Sequence, residues 1–129
     1  VPKKLLDMDL YKKIVDECAY RGTYSIRLSL RGEPFLNRDI VDMARYAKQK
    51  GIREVATLTN GLKLTPEIFE EMLDAGLDWM TMSFDGMGET YERIRKPAKF
   101  DEAVSKIRQY HEIKKRRRSE KPVVKIQSV

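Results

Sequence analysis

Glu33 stands between Gly32 and Pro34 in the stretch LRGEPFL, residues 30 to 36, at the end of a segment in which apolar and polar residues alternate. Glycine lets the backbone come close to a ligand, and proline restricts the residue before it to extended conformations. A carboxylate fixed in this way suits a positive group such as an amine. Three later positions repeat the theme: Thr59-Asn60-Gly61, Ser83-Phe84-Asp85-Gly86 and Gln127-Ser128. Asn60 and Ser83 can both donate and accept hydrogen bonds, as an amino-acid or ribose moiety requires. Asn-Gly and Asp-Gly are common turn dipeptides, so any one of these stretches alone reads first as a turn. All four at equivalent places favour a ligand site. Other chemistries lack their residues. There is no GxGxxG or GxxxxGKS/T phosphate loop, and His111, the single histidine, lies on a helix far from these ends, which leaves no Ser-His-Asp set.

These groups need elements that bring them to one rim. Residues 9 to 21 read as an amphipathic helix with Leu10, Ile14, Val15 and Cys18 on one stripe. Residues 24 to 30 read as a strand. Asn37 is expected to cap a helix running to about residue 50, and residues 53 to 59 form the next strand. Thr65 and Pro66 start a helix to about Ala75, followed by a strand at 78 to 84, a helix at 101 to 117 and a strand at 123 to 129. Gly22, Gly51 and Gly76 fall where a helix stops before a strand, as left-handed C-terminal caps do. Repeated alternation of this kind points to parallel strands joined by crossovers.

An open doubly wound sheet and a barrel arc both fit that order. Strands covered on both faces should be almost wholly apolar. Here Ser25, Arg27 and Ser29 share one face, as do Thr81, Ser83 and Asp85, and Lys125 and Gln127. The expectation is therefore an α/β fold: an arc of a partial (β/α) TIM-like barrel, about four parallel strands alternating with helices, its inner face lining a cavity. Functional groups collect at the C-terminal strand ends of such folds, where the four stretches above lie.

Composition sets the bounds. The chain has 129 residues, one domain's worth, with 41% hydrophobic and 36% charged residues. Its apolar runs are too short to span a membrane. Val1 is not a start methionine and no signal-peptide pattern follows, so the chain is expected to begin inside a longer protein. Cys18, the single cysteine, excludes an intrachain disulfide and is expected in the core, and a reducing, cytoplasmic setting is the default. The net charge is +6. Most of that excess is local: residues 111 to 121, with the helix end and loop at 114 to 121, carry Lys114, Lys115, Arg116, Arg117, Arg118 and Lys121 against Glu112 and Glu120, which is +4 of the total.

The ordered set of strand ends resembles the radical S-adenosylmethionine (radical SAM) enzymes. RGEPFL is similar to the family's GGEP motif, LTNG (58 to 61) to the segment after the next strand, and SFDG (83 to 86) to its Ser-x-Asp-Gly strand end. VVKIQSV (123 to 129) resembles the strand whose polar residue approaches SAM, and YERIRKPAKFDEAVSKI (91 to 107) the segment placed before it. The resemblance implies that Gly32 and Glu33, with Pro34, hold the methionine amine of SAM. It implies that Thr59, Asn60, Ser83 and Gln127 line the SAM site with Asp85 near, and that inward Arg27, Ser29, Thr81 and Lys125 are candidates for the substrate side. It also implies a 4Fe-4S cluster at which SAM is cleaved to a 5′-deoxyadenosyl radical that abstracts a substrate hydrogen. Two departures stand out. Arg31 takes the place of the motif's first glycine, and the CxxxCxxC loop that holds the cluster is missing before residue 9. The resemblance thus implies the central part of a radical SAM core, with cluster ligands outside this chain and no activity on its own.

Blander readings stand beside this one. KKRRR (114 to 118) reads as the solvated end of a helix, where cations suit the helix dipole. His111 is expected to edge the helix core. Trp79, Met80 and Met82 read as strand packing, with Trp79 on the inner face where a ligand could touch it. The alternative function is a non-enzymatic α/β module that binds nucleic acid or protein through KKRRR, although no aromatic residues are interleaved with that run. An aldolase-like fragment would need a strand-end lysine, for which Lys125 is the one candidate. The edges at 24 to 30 and 123 to 129 are expected to be open and to favour self-association.

Overall fold

Helices and strands alternate in a computed structural model that describes residues 5–29 and 32–128. Helix α1, Met8–Tyr20, is capped by Asp7, whose side chain accepts from the Leu10 N–H at 2.9 Å. Its buried stripe is Tyr11 and Val15 with half-buried Cys18, whereas Leu10 and Ile14, expected to be inward, are exposed. The Tyr11 hydroxyl donates to the Met43 carbonyl at 2.7 Å, which turns this face of α1 toward α2, Ile40–Gln49. Asn37 does not cap α2. Pro34–Leu36 forms a 3-10 turn first, and Asn37 ends it, its N–H donating to the Pro34 carbonyl at 3.0 Å.

Strand β1 is regular only over Ser25–Arg27, shorter than expected; Leu30 and Arg31, like Val129, lie outside the described residues. Strand β2 is Glu54–Thr59, and the Ser29 hydroxyl accepts from the Leu58 N–H at 3.1 Å where backbone pairing has stopped. Helix α3, Pro66–Asp74, starts as expected, with the Thr65 hydroxyl accepting from the Ile68 N–H at 3.2 Å. Strand β3 is Trp79–Ser83, and a helix not anticipated from the pattern, α4 at Gly88–Ile94, follows it. It is only two turns long and docks through Tyr91, whose ring lies 4.6 Å from that of Phe84. Helix α5, Phe100–Arg117, and strand β4, Val123–Gln127, complete the chain. Gly22, Gly51 and Gly76 have φ of 75°, 89° and 87°, the expected left-handed caps.

The sheet is wholly parallel in the order β1-β2-β3-β4. A doubly wound sheet reverses strand order at a switch point; here each strand adds beside the last, which makes an arc of a TIM-like barrel. Val55, Thr57, Met80 and Met82 are fully buried on one face, with Leu28 beside them. Their neighbours Ser25, Arg27, Lys125 and Gln127 on the other face are exposed. Among the described residues no further strand pairs with β1 or β4 at the edges, and Val123 and Ile126 are exposed on β4. Along α5, Ala103, Tyr110 and Ile113 are buried and His111 is exposed, so it faces solvent and does not edge the core as expected.

The N-terminal ends of the strands are tied by one acid. Asp78 is 6% exposed; one carboxylate oxygen accepts from the Val55 N–H at 2.8 Å and Lys48 Nζ at 2.9 Å, the other from Lys121 Nζ at 2.6 Å. Its backbone donates to Val55 and accepts from Val123. Burial pushes the carboxyl pKa up, but the Lys121, Lys48 and Val55 hydrogen bonds outweigh it and hold the group below the ordinary value.

Candidate functional site

At the opposite end, Glu33 has φ −94° and ψ 116°, the extended backbone that Pro34 imposes. Its Oε1 accepts from the Phe35 N–H at 3.2 Å, capping the 3-10 turn, and from the Thr59 hydroxyl at 2.6 Å. Oε2 accepts from the Asn60 N–H at 2.7 Å. The carboxylate thus clamps the loop after β1 to the end of β2. A carboxylate offers about four acceptor positions, so one on Oε2 is left for a donor from outside. No cation pairs with Glu33 among the described residues.

A cleft of about 390 Å³ runs along the β1 edge beside this carboxylate, of a size that takes a cofactor. Gly32, Glu33, Pro34, Arg27 and Ser29 line its polar side, and Leu6, Ile14, Ile26 and Ile40 its apolar side. Five of the expected residues are therefore brought together. Ser83 and Gln127 lie side by side at the ends of β3 and β4, on the face that also carries Thr81, 8% exposed, and exposed Lys125.

The others are placed differently. Thr59 is 2% exposed; its hydroxyl donates to Glu33 and accepts from the Gly61 N–H at 3.0 Å, so it reaches a ligand only through Glu33. The Asn60 side chain accepts from the Leu62 N–H at 2.9 Å and borders a separate recess of about 160 Å³ with Ile94, Arg95 and Lys96. Asp85, 8% exposed, is ion-paired with Arg95 of the loop after α4. Lys106 of α5 donates to the Gly61 and Leu62 carbonyls at 3.0 and 3.1 Å and holds the loop after β2.

Sequence reasoning missed Arg95 and Lys106. For Arg95 a signal existed, because a buried strand-end acid needs a cation. For Lys106 there was none: a helix lysine 45 positions along the chain from its acceptor is indistinguishable from a solvated one. The basic run is partly spent. Arg116 and Arg117 pair with Glu70 at 2.9 and 2.8 Å, Arg117 pairs also with Asp74, and these contacts hold both carboxyls below their ordinary pKa.

No group of His, Cys, Asp and Glu among the described residues could hold a metal ion. With Cys18 the single cysteine, these residues do not fit an iron–sulfur cluster, which needs several thiolates. Glu33 with its open acceptor position does fit an amine. No helix among the described residues is long and apolar enough to cross a membrane.

The comparisons with known proteins agree with one another. A family model described as the Radical SAM superfamily matches residues 1–124. "AdoMet-dependent heme synthase" of Methanosarcina barkeri is 38% identical over 109 residues, covering 83% of this chain and 31% of that protein. "GTP 3',8-cyclase" of Limosilactobacillus fermentum is 30% identical over 106 residues, covering 81% of this chain and 31% of that protein. Among solved structures, BtrN in complex with AdoMet and 2-DOIA superimposes with a TM-score of 0.60 at 17% identity, over 80% of this chain and 43% of that one. The likeness to BtrN shows the fold. The chain spans about a third of the length of these two curated relatives.

Proposed function

The chain belongs to the Radical SAM superfamily, and on that premise we propose that its strand rim binds the aminoacyl end of S-adenosylmethionine, with Glu33 accepting from the amino group. The superfamily's chemistry is SAM-dependent radical chemistry, for which membership implies a 4Fe-4S cluster besides SAM. In the proposal Gly32 and Pro34 fix the Glu33 backbone, and Thr59 and the Asn60 N–H hold its carboxylate in place. Ser83 and Gln127 supply hydrogen bonds to the rest of the cofactor, and Asp85 shapes the rim through Arg95. Arg27, Ser29, Thr81 and Lys125 face the substrate; the Ser29 oxygen accepts once from Leu58, which leaves its hydroxyl proton and one acceptor position there. The whole protein then abstracts a substrate hydrogen, while the 129-residue chain alone does not cleave SAM, having one cysteine.

The observation that carries this reading is the Glu33 carboxylate, held by three protein donors with one acceptor position left beside an open cleft. Equilibrium dialysis with labelled SAM tests it. The wild-type chain should bind SAM, and Glu33→Ala should weaken binding about tenfold or more, as expected for a hydrogen bond between charged groups. Equal binding by the two chains would end the proposal for this rim. Anaerobic incubation with iron, sulfide and reductant should yield no 5′-deoxyadenosine, and any yield would refute the claim that the chain alone is inactive.

A further inference from the structure

The sheet face turned away from the helices carries a single indole with two cations over it. Trp79, the chain's one tryptophan, opens β3 level with Arg27 of β1, Ala56 of β2 and Val123 of β4. Ala56 is small and leaves the ring space beside it. The Arg27 guanidinium carbon lies 5.1 Å from the ring centroid and Lys125 Nζ 3.8 Å from it. Neither cation is ion-paired among the described residues. The acid on the same face, Glu54, lies one step toward the N-terminal strand ends and accepts from the Ser25 hydroxyl at 2.8 Å.

The negative face of the indole attracts each cation, but no carboxylate compensates either of them among the described residues. An anionic group on this face would supply that charge and gain charge-assisted hydrogen bonds. We propose that this face binds the anionic group, carboxylate or phosphate, of the substrate, with Arg27 and Lys125 converging on it beside Trp79. The assignment rests on the reading of the rim as the SAM site and adds the substrate's chemical class. Lys125 is two residues below Gln127, about 7 Å along a strand, so the anion is anchored below the rim and the rest of the substrate points up toward it. Arg27 also borders the β1-edge cleft, whose lining does not include Trp79 or Lys125.

The fluorescence of Trp79 in the 129-residue chain is a direct reporter, since no other tryptophan contributes. Titration with inorganic pyrophosphate and, separately, with citrate should give a saturable change for at least one of them. Potassium chloride at equal ionic strength should not reproduce it. A response to pyrophosphate alone assigns a phosphoryl group, and one to citrate alone a carboxylate. Isothermal calorimetry, which does not depend on the indole environment, should show at least a tenfold loss of affinity in the Arg27→Gln, Lys125→Gln double variant with its circular dichroism unchanged. No saturable response, or equal affinity in the double variant, would overturn the inference. SAM dialysis on the same wild-type preparation separates the two readings. Glu33-dependent SAM binding without an anion response defeats this inference alone, and an anion response without Glu33-dependent SAM binding defeats the rim reading alone.

Discussion

Two carboxylates at opposite ends of the same sheet are held in opposite ways. Asp78, at the N-terminal ends of the strands, is almost fully buried and meets two ammonium groups and a backbone N–H. Glu33, at the C-terminal ends, is only half-buried and is held by two backbone N–H groups and a hydroxyl, with no cation among the described residues. Asp78 has its counter-charges built in and joins β2, β3, β4 and α2, so it serves stability. Glu33 keeps its negative charge uncompensated beside a cleft, which suits it to a cationic ligand. This division matches the functional top and stabilising bottom of parallel barrels.

The comparison breaks most visibly at Asp78. Asp78→Ala should lower the unfolding free energy by about 2–4 kcal/mol, since it strands the Val55 N–H and unpairs Lys48 and Lys121. A lower urea midpoint at unchanged slope measures this; an unchanged midpoint would show that the lower clamp is dispensable. Glu33→Ala should cost less stability, about 1–2 kcal/mol, because its donors sit nearer to water, and should instead weaken SAM binding as described above. If Asp78→Ala reduced SAM affinity more than Glu33→Ala did, the assignment of the two ends would be reversed.

Gly61 sharpens the picture at the upper end. Its φ is 79°, and a Cβ there would lie 2.7 Å from Met82 Cε. Gly61→Ala should therefore destabilise by about 1–2 kcal/mol, read as a drop in melting temperature; a rise would mean that the loop adopts another backbone.

Acid should weaken the lower clamp. The Asp78 pKa is depressed on folding, so its contribution is complete above the unfolded carboxylate value of about 3.9 and is lost as pH falls through the folded pKa. Urea midpoints measured from pH 6 to pH 2 should fall less steeply in Asp78→Asn than in the wild type. Parallel curves would show that Asp78 does not govern acid unfolding. The smallest effect is expected at Arg118, the non-glycine residue that ends α5 in the left-handed region, φ 50°. Arg118→Gly should stabilise by about 0.5–1 kcal/mol, and a loss of stability would indicate that its side chain contributes more than its backbone costs.

Much of the scaffold was legible because it rests on local rules. Thr65 and Pro66 start α3, glycines end three helices, and alternation in β1, β3 and β4 separates a polar from an apolar face. Where local rules competed, the expectation slipped. Asn37 is a good cap, but α2 starts only at Ile40 after Asp39, and the Asn37 side chain instead accepts from the Asp39 N–H in the turn before it. Leu10 and Ile14 extend a plausible apolar stripe, yet among the described residues α1 has no neighbour on that side to bury them. Helix α4 is too short to show a period, and its place depends on Phe84 and Tyr91 meeting.

By itself the sequence determined that Glu33 would be extended and presented at a strand end, because Gly32 and Pro34 act on backbone torsions alone. It also determined the alternation of elements and the polar character of one sheet face. Only the tertiary structure decided which groups surround each carboxylate. Glu33 is held from β2, Asp85 from beyond α4, and Asp78 from both α2 and the approach to β4. Apart from the Phe35 N–H, two residues from Glu33, the partners of these acids lie from 10 to 43 residues away along the chain. Hydrogen bonds and ion pairs act over a few ångströms, so partners so distant in sequence are selected only once packing has brought them into contact.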